Sequence, residues 1–199
     1  MTIAQTRMRT ATLLPWRGPA STSLSDEMLI QRIAGGDQLA MRTLFVRHQI
    51  PLFRFLVRIV RDQTMAEDLL SDVFLDVWRT AEQFEGRSSV STWLLAIGRL
   101  KALSKLRRRT NVVLNDEMVS TIVDPADDPE ILLEKKNSSE VLRKCVIALS
   151  PAHGQIIDLV YYHEKSVGEV AEIVGIPEAT VKTRMFYARK QLATLVTAA

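Results

Sequence analysis

Apolar residues recur along this chain at helical rather than strand spacing, and the polar punctuation between them divides it into helices. Ser25 stands before the first periodic stretch as an N-cap, with Asp26 and Glu27 favourable in the first turn. This predicts a helix over 25–34 that Gly35-Gly36 stops. From Gln38 to Arg61, Leu44, Phe45, Leu52, Phe55, Leu56 and Ile59 mark one helical face. Pro51 inside that stretch predicts a kink or break near 48–50. Thr64-Met65-Ala66-Glu67 has a capping-box pattern and opens AEDLLSDVFLDVWR. There Ala66, Leu69, Leu70, Val73 and Val77 share one face, and Asp68, Asp72 and Asp76 another.

FEGRSSVSTW, residues 84–93, follows as a helix–helix connection with N-cap candidates at Ser89 and Ser91. Phe84 and Trp93 read as core. WLLAIGRLKALSKLRRR is helical again. Residues 111–137 lose all periodicity, carry two prolines and scattered acids, and read as a linker. As a coil these 27 residues span about 30 Å; stretched, they reach roughly 90 Å.

The last segment is compact and helical. One helix is expected from Ser138-Ser139-Glu140 to Leu149, and Ser150-Pro151 supplies an N-cap and N1 proline for the next. Val167, Val170, Ala171 and Val174 then form one face of a short helix, Gly175-Ile176-Pro177 a tight turn, and Val181, Met185, Ala188 and Leu192 the face of a second helix. This is a helix-turn-helix pattern. Its second helix would expose Thr180, Lys182, Thr183, Arg184, Phe186, Tyr187, Arg189 and Lys190. Basic side chains there suit guanine edges or phosphates, and Thr and aromatic groups suit bases and thymine methyls. The expected fold is all-α: two small helical domains joined by a flexible acidic linker.

Charge sharpens this picture. Residues 1–110 hold 17 Lys and Arg against 10 Asp and Glu, residues 111–140 hold 2 against 8, and residues 141–199 hold 7 against 5. Two basic lobes flank an acidic segment. Seven basic residues and no acid lie between Arg87 and Arg109, a run suited to salt-sensitive phosphate contact. The acidic stripe on 68–76 has no basic partner on its own helix, and like charges at that spacing cost only about 0.2–0.5 kcal/mol per pair. It is read as a docking face for a basic protein surface.

Composition excludes several classes. At 47% hydrophobic and 25% charged, the 199 residues are of ordinary soluble type. No apolar run approaches the ~18–20 residues that span a bilayer. Cys145 is the sole cysteine, which suits a reducing cytosol and excludes an internal disulfide. His48, His153 and His163 lack metal-ligand spacing. No nucleophile–base constellation or phosphate-binding glycine loop suggests catalysis, and no cofactor is expected. The stretch 1–22 holds three arginines and no acid, and reads as a disordered leader rather than a targeting signal.

AEDLLSDVFLDVWR, FEGRSSVSTWLLAIGRLKALSKLRRR and EVAEIVGIPEATVKTRMFYAR, in this order, resemble an extracytoplasmic-function (ECF) sigma factor of bacterial RNA polymerase. The resemblance covers residues 25–110 and 138–195. It implies domains at 23–110 (sigma region 2, −10 recognition and polymerase docking) and 138–199 (sigma region 4, −35 recognition), around the linker 111–137. It places Asp68, Ser71, Asp72 and Leu75 on core polymerase. It places Gly86, Arg87, Ser88, Ser89 and Ser91 at a flipped −10 base, with Arg99, Lys101, Lys105, Arg107 and Arg108 on the adjoining DNA. Thr180, Lys182, Thr183, Arg184, Phe186 and Tyr187 fall on the −35 element. It also implies an anti-sigma partner and a cytoplasmic protein, and the acids and prolines of the linker fit two lobes free to move around such a partner. The sequence departs from the family at Ser71, where many members have Gln. Gly98-Arg99-Leu100 and Ser104 replace the common Ala-Arg-Asn and Asp, and Ala179 a frequent Gly. The competing readings are a helix-turn-helix repressor or activator and a protein-interaction adaptor that does not bind DNA.

Overall fold

The computed structural model of the chain describes residues 24–113 and 144–198, and the helices whose starts lie among them begin at a polar or proline cap and turn an apolar face inward. Helix α1 spans Asp26–Ala34 and is capped by Ser25, whose hydroxyl accepts from the Met28 amide. Helix α2 spans Gln38–Val60 and is capped by Asp37, which accepts from Leu39 and Ala40. It runs unbroken through Pro51, so the expected break is absent. Pro51 lies on the exposed side of the helix, where water can satisfy the carbonyl it leaves unbonded.

Helix α3 spans Gln63–Thr80. Its cap is Asp62, accepting from Met65 at 3.0 Å, and not the Thr64 of the capping-box pattern. A carboxylate two residues upstream took the role, and Thr64 lies inside the helix, exposed. A 3-10 turn, Ala81–Gln83, leads to the connection and to α4, Val90–Val113. Helix α4 begins three residues before Trp93 and continues to Val113, three residues into the stretch read as linker. The remainder of that linker and the leader 1–22 lie outside the described residues.

The first lobe packs α2, α3 and α4 around Leu44, Leu52, Phe55, Leu56, Val73, Val77 and Leu94, all at most 2% exposed. Truncating one such leucine to alanine costs roughly 2–5 kcal/mol. Gly98 makes the crossing close. A Cβ there would stand 3.1 Å from Leu52 Cδ1 and 3.4 Å from Leu56 Cδ2. Phe84 and Trp93 are half-buried with ring centroids 5.0 Å apart, as core-edge residues.

In the second lobe, residues 144–147 are helical. They lead to α5, Pro151–Tyr161, whose N-cap Ser150 accepts from His153. Helix α6 spans Val167–Val174 and α7 spans Glu178–Thr197. Val170, Ile173, Val174 and Val181 fill the angle between α6 and α7, with Ile156 and Leu159 of α5 beneath them.

The two lobes are packed against one another. One continuous apolar cluster runs from Leu52, Phe55 and Leu94 into Ile156, Leu159 and Val170. Helix α6 lies against α4, and α5 against α2.

Candidate nucleic-acid and polymerase interface

Helix α3 presents Asp68, Ser71, Asp72 and Leu75 together on its solvent side, with their apolar neighbours buried at helical spacing behind them. The Ser71 hydroxyl donates back to the Glu67 carbonyl at 3.1 Å, so its free acceptor side faces out. Leu75 is 52% exposed and Trp78, one turn on, 38%. Two apolar side chains amid carboxylates make a surface suited to a partner rather than to water alone. The sequence reading missed Trp78, whose i, i+3 spacing from Leu75 was the available signal. Asp76 does not belong to the free acidic stripe, because Lys101 of α4 reaches it at 2.6 Å.

The connection 84–89 turns at Gly86, whose φ of +68° is left-handed backbone that favours glycine. Arg87 is exposed and pairs with Glu85. Ser88 is half-buried. Ser89 caps α4, accepting from the Thr92 amide at 3.3 Å. Its hydroxyl also lies 3.1 Å from that of Ser91 and 2.9 Å from that of Thr92. Three hydroxyls therefore converge at the N-terminus of a long helix, where the backbone dipole favours electron-rich groups. Lys105, Arg107 and Arg108 are exposed further along α4, and Leu100 at 65% exposure shares its solvent-facing surface. Lys101 is engaged by Asp76, and Arg99 donates to Gln155 Oε1 at 3.2 Å.

The helix-turn-helix is built as the sequence indicates. Ser166 and Glu169 form a full capping box at the start of α6. Gly175 ends the helix in left-handed conformation, its N–H bonding the Ala171 carbonyl at 2.8 Å. Pro177 then starts α7. Lys182, Thr183, Phe186 and Tyr187 are exposed on it, and Thr180 and Arg184 half-exposed. Lys182 stands 3.9 Å from Glu178, a loose pair that leaves its ammonium available. Phe186 is 64% and Tyr187 54% exposed, their rings edge-to-face with centroids 5.4 Å apart. An aromatic pair beside cations fits apolar and stacking contact in a groove. Arg189 is held by the Tyr161 hydroxyl at 2.8 Å.

Electrostatics at the lobe contact centre on two groups that the sequence reading passed over. Glu169 Oε1 accepts from Thr92 Oγ1 at 2.6 Å and from Ser89 Oγ at 3.2 Å, and lies 3.3 Å from Lys165 Nζ. Partial burial pushes its carboxyl up, but hydrogen bonds from Thr92 and Ser166, with Lys165 nearby, outweigh burial and hold it down to about 2. His163 packs edge-on to Phe55, ring centroids 5.5 Å apart. Burial first, then the Arg58 and Lys165 charges, lower its pKa to about 4. Arg99 is also lowered, first by burial and then by the charge of Arg184. Among the described residues there is no cluster of three or more His, Cys, Asp or Glu that could hold a metal ion. No described helix is long and apolar enough to cross a membrane.

Comparison with known proteins gives the relatives of the chain. Residues 44–112 match the family model Sigma-70 region 2, and residues 139–192 match Sigma-70, region 4. The chain is 27% identical over 180 residues to the ECF RNA polymerase sigma factor SigK of Mycobacterium tuberculosis (strain ATCC 25618 / H37Rv), covering 88% of this chain and 95% of that one. It is 28% identical over 182 residues to SigK of Mycobacterium sp. (strain KMS), covering 88% and 92%. In fold it is similar to the sigma factor RpoE in complex with the anti-sigma factor NepR from Bartonella quintana. There the TM-score is 0.65 and the identity 24%, covering 78% of this chain and 96% of that one. It is also similar to CnrH in complex with the cytosolic domain of CnrY, with TM-score 0.61 and identity 22%, covering 87% and 97%.

Proposed function

The chain belongs to the sigma-70 family, in the two-region ECF form, and from that premise we propose how its surfaces divide the work of promoter-specific transcription initiation. The α3 face of Asp68, Ser71, Asp72 and Leu75, widened by Trp78, docks on core RNA polymerase. Gly86, Arg87, Ser88, Ser89 and Ser91, with Arg99, Lys101, Lys105, Arg107 and Arg108, receive the −10 element. Extruding a base costs a few kcal/mol of stacking and pairing, which converging hydroxyls and a helix N-terminus offset by hydrogen bonding. Thr180, Lys182, Thr183, Arg184, Phe186 and Tyr187 read the −35 element in the major groove. The domain limits that go with this division are 23–110 and 138–199.

The observation that carries the reading is the presence, on one chain and in order, of an acidic–apolar docking face, a hydroxyl-lined loop beside a basic helix, and a helix-turn-helix. The protein makes and breaks no covalent bond; catalysis belongs to the polymerase, in the cytoplasm. An anti-sigma factor controls it, a reading supported by the similarity to RpoE, which is bound to one.

Run-off transcription with purified core polymerase over a promoter library tests this. Specific initiation is expected; its absence with any promoter would favour a repressor or adaptor. Lys182→Ala is expected to weaken initiation that depends on the −35 element by roughly tenfold, taking about 1–3 kcal/mol per base contact, with core binding unchanged. Asp68→Lys is expected to reduce co-purification with core polymerase, and unchanged co-purification would remove that face from the docking surface.

A further inference from the structure

Leu100 of α4 is 65% exposed, while the other large apolar side chains between residues 90 and 109 are buried or half-buried. Its neighbours one turn before and one turn after are small, Ala96 and Ser104, both half-buried. Leu100 therefore stands proud of the helix between two short side chains. The charged residues beside it in sequence are held by protein groups. Arg99 donates to Gln155 Oε1 at 3.2 Å, and Lys101 reaches Asp76 at 2.6 Å. What this turn of α4 offers a partner is hydrocarbon.

Position adds a second, independent observation. Ser89, Trp93, Leu100, Ser104 and Arg107 follow one another at offsets of four, seven, four and three residues, so they lie along one face of the helix. At the rise of an α-helix, Leu100 is about 16 Å from Ser89 along the axis, and Arg107 roughly 10 Å further on. A strand running from the hydroxyl-lined loop to the cations of Arg107 and Arg108 passes over Leu100. A single exposed leucine on an open surface needs no explanation. This one stands between a hydrogen-bonding loop and a basic helix end, in a run from Arg87 to Arg109 that holds no acid.

We propose that Leu100 is a specificity-determining residue of the −10 half, selecting one thymine of the −10 element through its C5-methyl group. The inference rests on the sigma-factor reading for its partner and goes beyond it in naming the base. A leucine side chain has neither donor nor acceptor, so it cannot read the hydrogen-bonding pattern of a base edge. The thymine methyl is the one apolar group that base edges carry. Set against Leu100, the methyl and the side chain both leave water. Cytosine would turn its amino group to hydrocarbon, and adenine or guanine their edge donors and acceptors, each losing the partner that water supplied. Leu100 stands where many members of the family have asparagine, whose amide could answer those polar edges. Ser104, in the place of a common aspartate, adds no charge to repel the phosphates beside it.

The test starts from the −10 element selected in run-off transcription by the full chain with purified core polymerase. Each thymine in it is replaced singly by deoxyuridine, which lacks only the methyl group, and the promoter concentration for half-maximal transcription is measured. At one position the parent chain is expected to weaken about fourfold, the worth of one buried methyl group. At that position Leu100→Ala and Leu100→Asn are expected to show no loss, and losses at other positions are expected to be equal in all three chains. Leu100 is exposed, so both variants keep the core, and co-purification with core polymerase is expected to be unchanged. A selected element without thymine, a panel with no methyl-sensitive position, or sensitivity that persists in Leu100→Ala would overturn the proposal. So would a loss in Leu100→Ala that is equal on every sequence, the behaviour of an apolar wedge between bases. Lower co-purification would make Leu100 a protein contact and overturn it too. No specific transcript from the parent chain would remove the sigma-factor reading and the thymine reading with it. Specific initiation with a failed deoxyuridine panel would remove the thymine reading alone.

Discussion

His163 is a residue whose environment changes its chemistry. It faces Phe55 and Arg58 of α2, Asp158 of α5, Glu164 and Lys165 of its own loop, and His48 across a cleft of about 190 Å³. Its Nε2 lies 3.6 Å from Asp158 Oδ2, beyond good hydrogen-bond distance, and Arg58 already engages that carboxylate. Its pKa is lowered to about 4 against an ordinary 6.5, so the unfolded chain takes up the proton first. The stability it contributes is full above pH 6.5 and is lost as pH falls from 6.5 through 4. The loss is on the order of 2 kcal/mol after allowing for residual solvent at the ring. Urea midpoints at pH 7.5 and 5.0 are expected to differ accordingly, with a smaller difference in His163→Phe. Glu169 titrates in a separate, lower window, its contribution being present above about 4.5 and lost toward 2. Arg61 offers an opposite kind of change. It ends α2 at φ 52° and is exposed, a conformation that costs an L-residue about 1 kcal/mol or more. Arg61→Gly is expected to raise the melting temperature by roughly 2–4 °C.

At the scale of elements, the sequence signals that held were local. Ser25, Ser150 and Gly175 stand where they cap or end helices, and the helix-turn-helix is legible because its apolar spacing and its turn lie within 30 residues. The failures came where two local signals competed. Thr64 and Glu67 satisfy a capping pattern, but Asp62 lies just upstream and a carboxylate is as good a cap. Asp62 also lies 3.5 Å from Arg109, which favours that start through a contact no local pattern contains. Asp62→Ala is therefore expected to lower stability by about 1 kcal/mol, with Thr64→Ala within ~0.5 kcal/mol of the parent. Equal effects in denaturant titrations would restore Thr64 as the cap. Pro51 failed as a breaker because its position on the helix is exposed, and which side faces the core depends on packing rather than on the proline.

For the whole molecule, what the sequence could not disclose is the join between its halves. Thr92 and Glu169 are 77 residues apart and Arg58 and Asp158 belong to different lobes, so no periodicity links them. The acidic linker reads as freedom to move, and the docked lobes follow from side chains at a distance. This docking has a thermodynamic consequence. The described part of the second lobe, 144–198, has the size at which a lone helical unit is marginal, burying only about 60% of its unfolded surface. Its continuity with the first-lobe core, through Phe55, Leu94, Ile156 and Val170, couples their unfolding. The chain carries its own probes for this. Trp16, Trp78 and Trp93 precede the linker, and Tyr161, Tyr162 and Tyr187 follow it. Tryptophan fluorescence and tyrosine absorbance are expected to melt together in the parent protein. In Glu169→Lys the tyrosine signal is expected to melt several degrees earlier than the tryptophan signal, because the second lobe loses its support while the first keeps its three-helix core. Coincident melts in that variant would mean that the apolar contact through Phe55 and its neighbours couples the lobes without help from Glu169.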